Sequence, residues 1–419
     1  MSNALTPDIR FKGFADDWEQ RKLSDITSLI TKGTTPLDKT GIGEVNFVKI
    51  ENIDETSGEI TVAQKISHLE HEGYLRRSQL KENDILFSIA GTLGRVTCVK
   101  SNILPANTNQ ALAIIRLKSE DLLFVLTLLK GKTVADYIKR NPTIGAQPNL
   151  SLEQVGKLYL QLPSCDEQCY IGRFFAYMDN LITLHQKELE KLIDIKKSML
   201  INMFPQGDEK VPRIRFKGFS GDWNYPVLGT LGKTYTGLSG KTKEDFGNGY
   251  ATYITYMNVF TNPITNPSQV DSIESDAMQN EVQEGDIFFT TSSETPEEVG
   301  MSSVLLAKSG TTYLNSFCFG YRLNENVKID KYYLAYLLRS PVVREKIVFL
   351  AQGISRFNIS KTKMMEIAIP VPEKTEEQEK IGASFFNLDK LIKAQEKKIA
   401  QLKNIKSALL NKMFPKGDE

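Results

Sequence analysis

The strongest constraint on this chain is that it contains itself twice. Met203-Phe-Pro-Gln-Gly-Asp-Glu209 returns at the end of the chain as Met413-Phe-Pro-Lys-Gly-Asp-Glu419. Reading backwards from both copies, Glu167-Gln168 answers Glu377-Gln378, Ile171-Gly172 answers Ile381-Gly382, Asp179 answers Asp389 and Lys196 answers Lys406, with no residue gained or lost. The opening is doubled as well: Ile9-Arg-Phe-Lys-Gly-Phe14 recurs as Ile214 to Phe219, and each copy is followed by one of the protein's two tryptophans, Trp18 and Trp223. The chain is therefore two tandem halves, about 1–209 and 210–419, each large enough to bury its own core. The tryptophans are expected to anchor the leading segment of each half by burying aromatic area.

The matched stretches read as long helices. Met178, Ile182, His185, Leu189, Leu192, Lys196 and Met199 follow one another in steps of four and three, as do Leu388, Ile392, Gln395, Ile399, Leu402, Lys406 and Leu409. That spacing is the heptad seam of a coiled coil. No proline interrupts either run until Pro205 and Pro415, which stop the helix by removing an N–H and crowding the preceding turn. About 36 residues at roughly 1.5 Å each predict a rod of about 54 Å. Strict matching of length is what two facing helices need and what two independent cores do not. Reversing one helix against the other about residue 190 sets Leu189 opposite Leu402, and His185 and Gln395 level with Lys406 and Lys196. The polar seam residues would then gather in two layers that fix the register.

The middles diverge. Leu80–Phe87 can be laid on Val282–Phe289, and Asn107–Leu117 on Asn315–Leu323, each a turn followed by an apolar strand. Asn149-Leu-Ser151 matches Asn358-Ile-Ser360, while Phe124–Lys130 and Tyr333–Arg339 read as helices. Insertions and deletions fall inside the middles, so two scaffolds are held constant while two surfaces vary. The fold class is therefore α/β (α+β), two domains in tandem, each followed by a long helix, with the helices packed as an antiparallel coiled coil in pseudo-two-fold symmetry. The linear division is 1–162, helix 163–209, 210–369 and helix 370–419.

Loops in both middles are rich in short polar side chains. Asn, Gln and Arg can bond base edges, and Lys, Ser and Thr can hold phosphates. By residue type the DNA-contacting candidates are Lys32, Thr34, Thr35, Ser88, Thr92, Arg95, Asn107, Asn109, Gln110, Gln147 and Asn149 in the first half. In the second they are Ser239, Lys241, Thr290, Thr291, Ser292, Asn315, Arg356 and Asn358. Ordinary turn chemistry would select the same residue types. A lysine flank on the second helix (Lys390, Lys393, Lys397, Lys398, Lys403) is either a solvated face or a further phosphate contact.

Signals for catalysis are weak. No P-loop, G-x-S-x-G, H-E-x-x-H or dinucleotide-binding glycine pattern occurs. Neither does an (N/D)PP(Y/F) string of the kind an adenine methyltransferase needs. His68 and His71 read as a solvated pair, and Cys165 and Cys169 lack the further ligands of a structural zinc. The formal net charge of +1 gives no bulk basic excess for nucleic acid. Few cysteines, no signal-like start and no bilayer-length apolar run point to a cytoplasmic protein without membrane contact.

Two variable regions, each running into a helix that opens E-Q-x-x-I-G, resemble the specificity subunit of a type I restriction–modification system. The likeness rests on Leu162-Pro163 through Glu167-Gln-Cys-Tyr-Ile-Gly172, on Ile369-Pro-Val-Pro372 through Glu377-Gln-Glu-Lys-Ile-Gly382, and on the two Asn-x-Ser approaches, and it spans the chain. The first copy departs at Ser164-Cys165. The resemblance implies that the chain is not itself an enzyme and holds no cofactor. Each variable region would be a target recognition domain reading one half of a split double-stranded DNA site, with the helices setting the unread gap. It further implies two modification subunits that use S-adenosylmethionine to methylate adenine, and restriction subunits driven by ATP with Mg.

Overall fold

The computed structural model describes residues 6–54, 57–141 and 149–415. The repeated stretches form helices Cys165–Asn202 and Thr375–Met413, which end where Phe204-Pro205 and Phe414-Pro415 require. The chain divides into two compact units that do not follow the linear halves. One comprises Met1–Lys187 with Glu396–Glu419, the other Glu188–Gln395. Each unit thus contains one variable region, half of the helix that follows it, and half of the other long helix.

In the first unit a four-stranded sheet runs in the order Thr27–Lys32, Leu112–Leu117, Ile85–Ser88, Val96–Cys98, and all three pairings are antiparallel. A three-stranded sheet runs Gln64–Ile66, Val45–Val48, Ala106–Thr108, and its last pair is parallel. Successive strand side chains point to opposite faces. Accordingly Ile85, Phe87, Ala113 and Ile115 pack with Phe124, Val125 and Trp18 of helix Leu122–Leu129 and the leading segment, while Leu86, Leu112 and Ile114 pack with Val48 and Ile53. Burial on both faces explains why these strands read as unbroken apolar runs.

The second unit has the same topology from a different sequence. Its sheets run Gly232–Thr236, Cys318–Leu323, Ile287–Thr290, Ser302–Val304 and Val270–Ile273, Phe246–Ile254, Thr312–Leu314, again with one parallel pair. Ile287 and Phe289 face one core and Phe288 the other. An ion pair fixes the central strands in each unit. Arg116 grips the buried Asp84 through both oxygens at 2.7 and 2.8 Å, and Arg322 grips Asp286 at 2.7 Å through each.

The repeated motif has a mechanical explanation. Glu167 is fully buried and is held by both arms of Arg10, each at 2.7 Å, so the leading segment is tied to the long helix. Gln168 accepts from the Asp121 backbone N–H and donates to the Pro163 carbonyl. Asp121 is the N-cap of helix Leu122–Leu129. Gly172 is required by proximity: a Cβ there would lie 2.5 Å from Asp121 Oδ1 and 2.6 Å from the Phe124 nitrogen. The second unit repeats every contact, with Arg215 on Glu377, Gln378 on Asp330 and Pro372, and Gly382 against Tyr333. Trp18 and Trp223 are both buried, as expected of anchors.

Within each unit the two helix segments pair antiparallel. In the first, Met178 and Ile182 pack on Leu402, Lys406 pairs with Asp179, and Phe175 meets Phe414. In the second, Gln395 donates to Glu188 at 2.6 Å, Lys196 pairs with Asp389 at 2.5 Å, and Phe204 stacks on Phe385. The register expected from the seam is therefore corrected by about one heptad. Leu402 lies level with Ile182, not Leu189, and Lys406 meets Asp179, not the layer of His185. A slip of one heptad lays apolar positions on apolar positions, so the seam alone does not choose. The aspartates beside Met178 and Leu388 do, because each gives a seam lysine a carboxylate. Met178, Ile182, Leu388, Ile399 and Leu402 are buried, while His185, Leu189, Leu192, Lys196, Met199, Ile392, Gln395, Lys406 and Leu409 are half-buried.

Candidate nucleic-acid interface

Four polar loops picked out by residue type converge at one edge in each unit. In the first, Thr34 N–H donates to the Thr108 carbonyl, Ile89 N–H to the Ala111 carbonyl and Leu150 N–H to the Ile89 carbonyl, and Ala90 bridges Asn149. In the second, Leu238 donates to Leu314, Thr291 to Phe317 and Ile359 to Thr291, while Ser292 pairs with Asn358. The backbone bonds match one for one although the side chains do not. Each edge is thus a fixed frame carrying different chemistry.

Not all candidate side chains point outward. Ser88 is buried and closes its own turn, donating to the Thr92 carbonyl at 2.5 Å and accepting from Arg95 N–H at 2.7 Å. Asn107 is buried. Its amide donates to the Leu75 carbonyl at 2.8 Å, which turns its oxygen to His71 Nδ1 at 2.5 Å, so that nitrogen carries the proton. His71 is correspondingly buried and not solvated, although His68 is exposed. Thr290 accepts from Met301 N–H at 3.0 Å, and Ser292 lies buried in a short strand. Ser88, Asn107, Thr290 and Ser292 are therefore corrected from base or phosphate contacts to structural positions: all four are buried, and the side chains of Ser88 and Asn107 are engaged inside the fold.

Several others are half-committed. Arg95 Nη1 donates to the Ile50 and Ile53 carbonyls. Lys241 pairs with Asp276 at 2.8 Å, and its hydrogen bond, with those from the Met278 N–H and Gln279, holds that carboxyl down to about 2. Asn109 and Asn315 accept from backbone N–H groups of their own turns, Thr291 donates to the Phe317 carbonyl of the neighbouring loop, and Thr34 is half-buried. Lys32, Thr35, Thr92, Gln110 and Asn149 remain exposed in the first unit, with Thr35 donating to Gln110. Ser239, Arg356 and Asn358 are exposed in the second. Gln147 lies outside the described residues, as does the end of the terminal repeat. Residue type missed Phe317 and Ile354, which stand exposed at the second edge. An aromatic just after Asn315-Ser316, in a turn with no apolar period, was the available signal.

Among the described residues no group of three or more His, Cys, Asp or Glu side chains is placed to hold a metal, and no helix is long and apolar enough to cross a membrane.

The sequence profile described as "Type I restriction modification DNA specificity domain" matches residues 15–193 and 221–404. This chain belongs to that family. The two matches cover most of both variable regions and most of each long helix. A type I restriction enzyme specificity subunit of Methanocaldococcus jannaschii (MjaVIII) is 23% identical over 94% of this chain and 92% of its own length. The EcoBI specificity subunit of Escherichia coli is 25% identical over 45% of this chain and 41% of its own. The S subunit of a type I system from M. genitalium superposes with a TM-score of 0.60 at 17% identity, covering 99% of this chain and all of that one. This likeness shows a shared fold: tandem specificity domains, each leading into a long helix.

Proposed function

We propose that this specificity-family member is the DNA-reading, non-catalytic subunit of a type I restriction–modification complex. Each edge reads one half of an asymmetric, bipartite duplex target, and the paired helices set the unread gap. The observation that carries the reading is the pair of loop edges, joined by corresponding backbone bonds and different in side chains. One frame then presents two specificities. Two modification subunits bring S-adenosylmethionine and methylate adenine, and restriction subunits bring ATP and Mg; this chain supplies position and sequence choice. A formal net charge of +1 gives the chain little electrostatic hold on phosphates, so the partners supply most of the grip, and the complex works in the cytoplasm.

The test is footprinting of the chain reconstituted with its modification subunit on random-sequence duplexes. Two protected base clusters separated by a gap of fixed length are expected, with the chain alone protecting little. A single continuous site, or equal protection of all sequences, would refute the reading.

A further inference from the structure

The hairpin that rims the second edge has a construction of its own. Gln352 and Asn358 exchange both backbone bonds, at 3.0 and 2.8 Å, and close a tip of Gly353-Ile-Ser-Arg-Phe357. Gly353 has φ +148°, and a Cβ there would lie 2.0 Å from the Arg356 carbonyl oxygen, so the turn needs glycine. At the tip Ile354 is 98% exposed. The Arg356 guanidinium lies over the Phe317 ring, 5.7 Å from its centre. Phe317 is 54% exposed and is held by its N–H donating to Asn315 Oδ1 at 2.9 Å.

Other arginines of this unit are occupied. Arg215 and Arg322 grip buried carboxylates, while Arg339 and Arg344 donate to backbone carbonyls. Among the described residues Arg356 has no ion pair, and its interaction is with an exposed ring. A contact to phosphate alone would not need that ring. A cation–π contact orders a long side chain before binding and, unlike an ion pair, does not consume the guanidinium N–H groups. Coplanar guanidinium N–H pairs match the O6 and N7 of guanine in the major groove, and exposed apolar groups beside them match the thymine methyl.

We propose that Arg356 reads a guanine in the half-site of the second unit, with Phe317 and Ile354 against the methyl of an adjacent thymine. This rests on the DNA-specificity reading above. The experiment maps adenine methylation by the complete complex carrying the wild-type chain, Arg356→Ala, Arg356→Lys or Phe317→Ala, on a library randomised at both half-sites. Arg356→Ala should lose discrimination at one guanine of the second half-site by roughly 5- to 150-fold. Arg356→Lys, which keeps the charge and loses the fork, should relax the same position. Phe317→Ala should relax the neighbouring thymine. An unchanged first half-site shows that each variant is folded and assembled. A second half-site lacking any G·C pair would overturn the proposal, as would a uniform loss of rate with unaltered preference. No sequence-dependent methylation by the wild-type complex would instead refute the specificity reading itself.

Discussion

Gly172→Ala separates two physical effects by their sign. In the interior of a solvated helix, glycine to alanine stabilises by about 1 kcal/mol. Here the added methyl carbon would sit 2.5 Å from Asp121 Oδ1 and 2.6 Å from the Phe124 nitrogen, and 3.0 Å from the Leu123 carbonyl carbon. Backbone cannot give way as a flexible side chain can, so helix Leu122–Leu129 has to back off from the long helix. Overpacking of this kind costs about 1–3 kcal/mol, and disturbing the Asp121 cap about 1 more. After the helix-propensity gain is subtracted, the net expectation is a loss of about 1–3 kcal/mol. The assay is urea unfolding followed by tryptophan fluorescence in a Trp223→Phe background. Trp18 is then the sole tryptophan, and its ring lies 5.9 Å from Phe124 on the helix that must move. With a slope of about 1–3 kcal/mol per molar urea, the midpoint of the first unit should fall by roughly 1 M. A midpoint that stays put or rises would refute the clamp, because it would mean that the motif's glycine is there for some reason other than close approach.

Arg10→Ala should destabilise the first unit by about 3–5 kcal/mol, since it strands the buried Glu167 charge, and thermal unfolding of the variant checks it. Asn107→Ala leaves His71 and the Leu75 carbonyl without their partner and should cost about 1–3 kcal/mol. The first half-site mapped by methylation should nevertheless be unchanged. Lys406→Asp should lower stability by about 1 kcal/mol through like charge beside Asp179, and the double exchange Asp179→Lys with Lys406→Asp should restore it in a double-mutant cycle. Asp276 is depressed from the usual carboxylate range to about 2, chiefly by its hydrogen bond from Lys241. Its contribution to folding is therefore complete above about pH 4 and fades as the pH falls through 2. Lys241→Met should bring the Asp276 titration, followed by carboxyl NMR, back toward the normal value.

Much of the frame was legible because duplication multiplies weak signals. A single E-Q-x-x-I-G is a slight pattern, but its return at fixed distance from Met-Phe-Pro marked both helices and their ends. The apolar runs at residues 85–88 and 287–290 announced strands, and burial on both faces explains why they show no alternation. The helix register was not legible, because a seven-residue repeat is blind to a seven-residue slip. Only the charge beside each seam methionine or leucine resolves it. The edges were half legible. Residue type found the loops that converge, yet it cannot distinguish Asn107, whose amide is spent on His71 and Leu75, from Gln110, which stands in solvent. Nor does the sequence show that Glu167 is wanted for Arg10, since that pairing joins residues 157 positions apart.

The central claim is that one duplicated frame holds two independent readers. It is tested most directly by exchanging residues 45–150 for the corresponding region of another family member and mapping adenine methylation in cells that also carry the modification subunit. The account predicts a split motif in which one half changes while the other half and the gap stay the same. A change in both halves, or an altered gap, would contradict it.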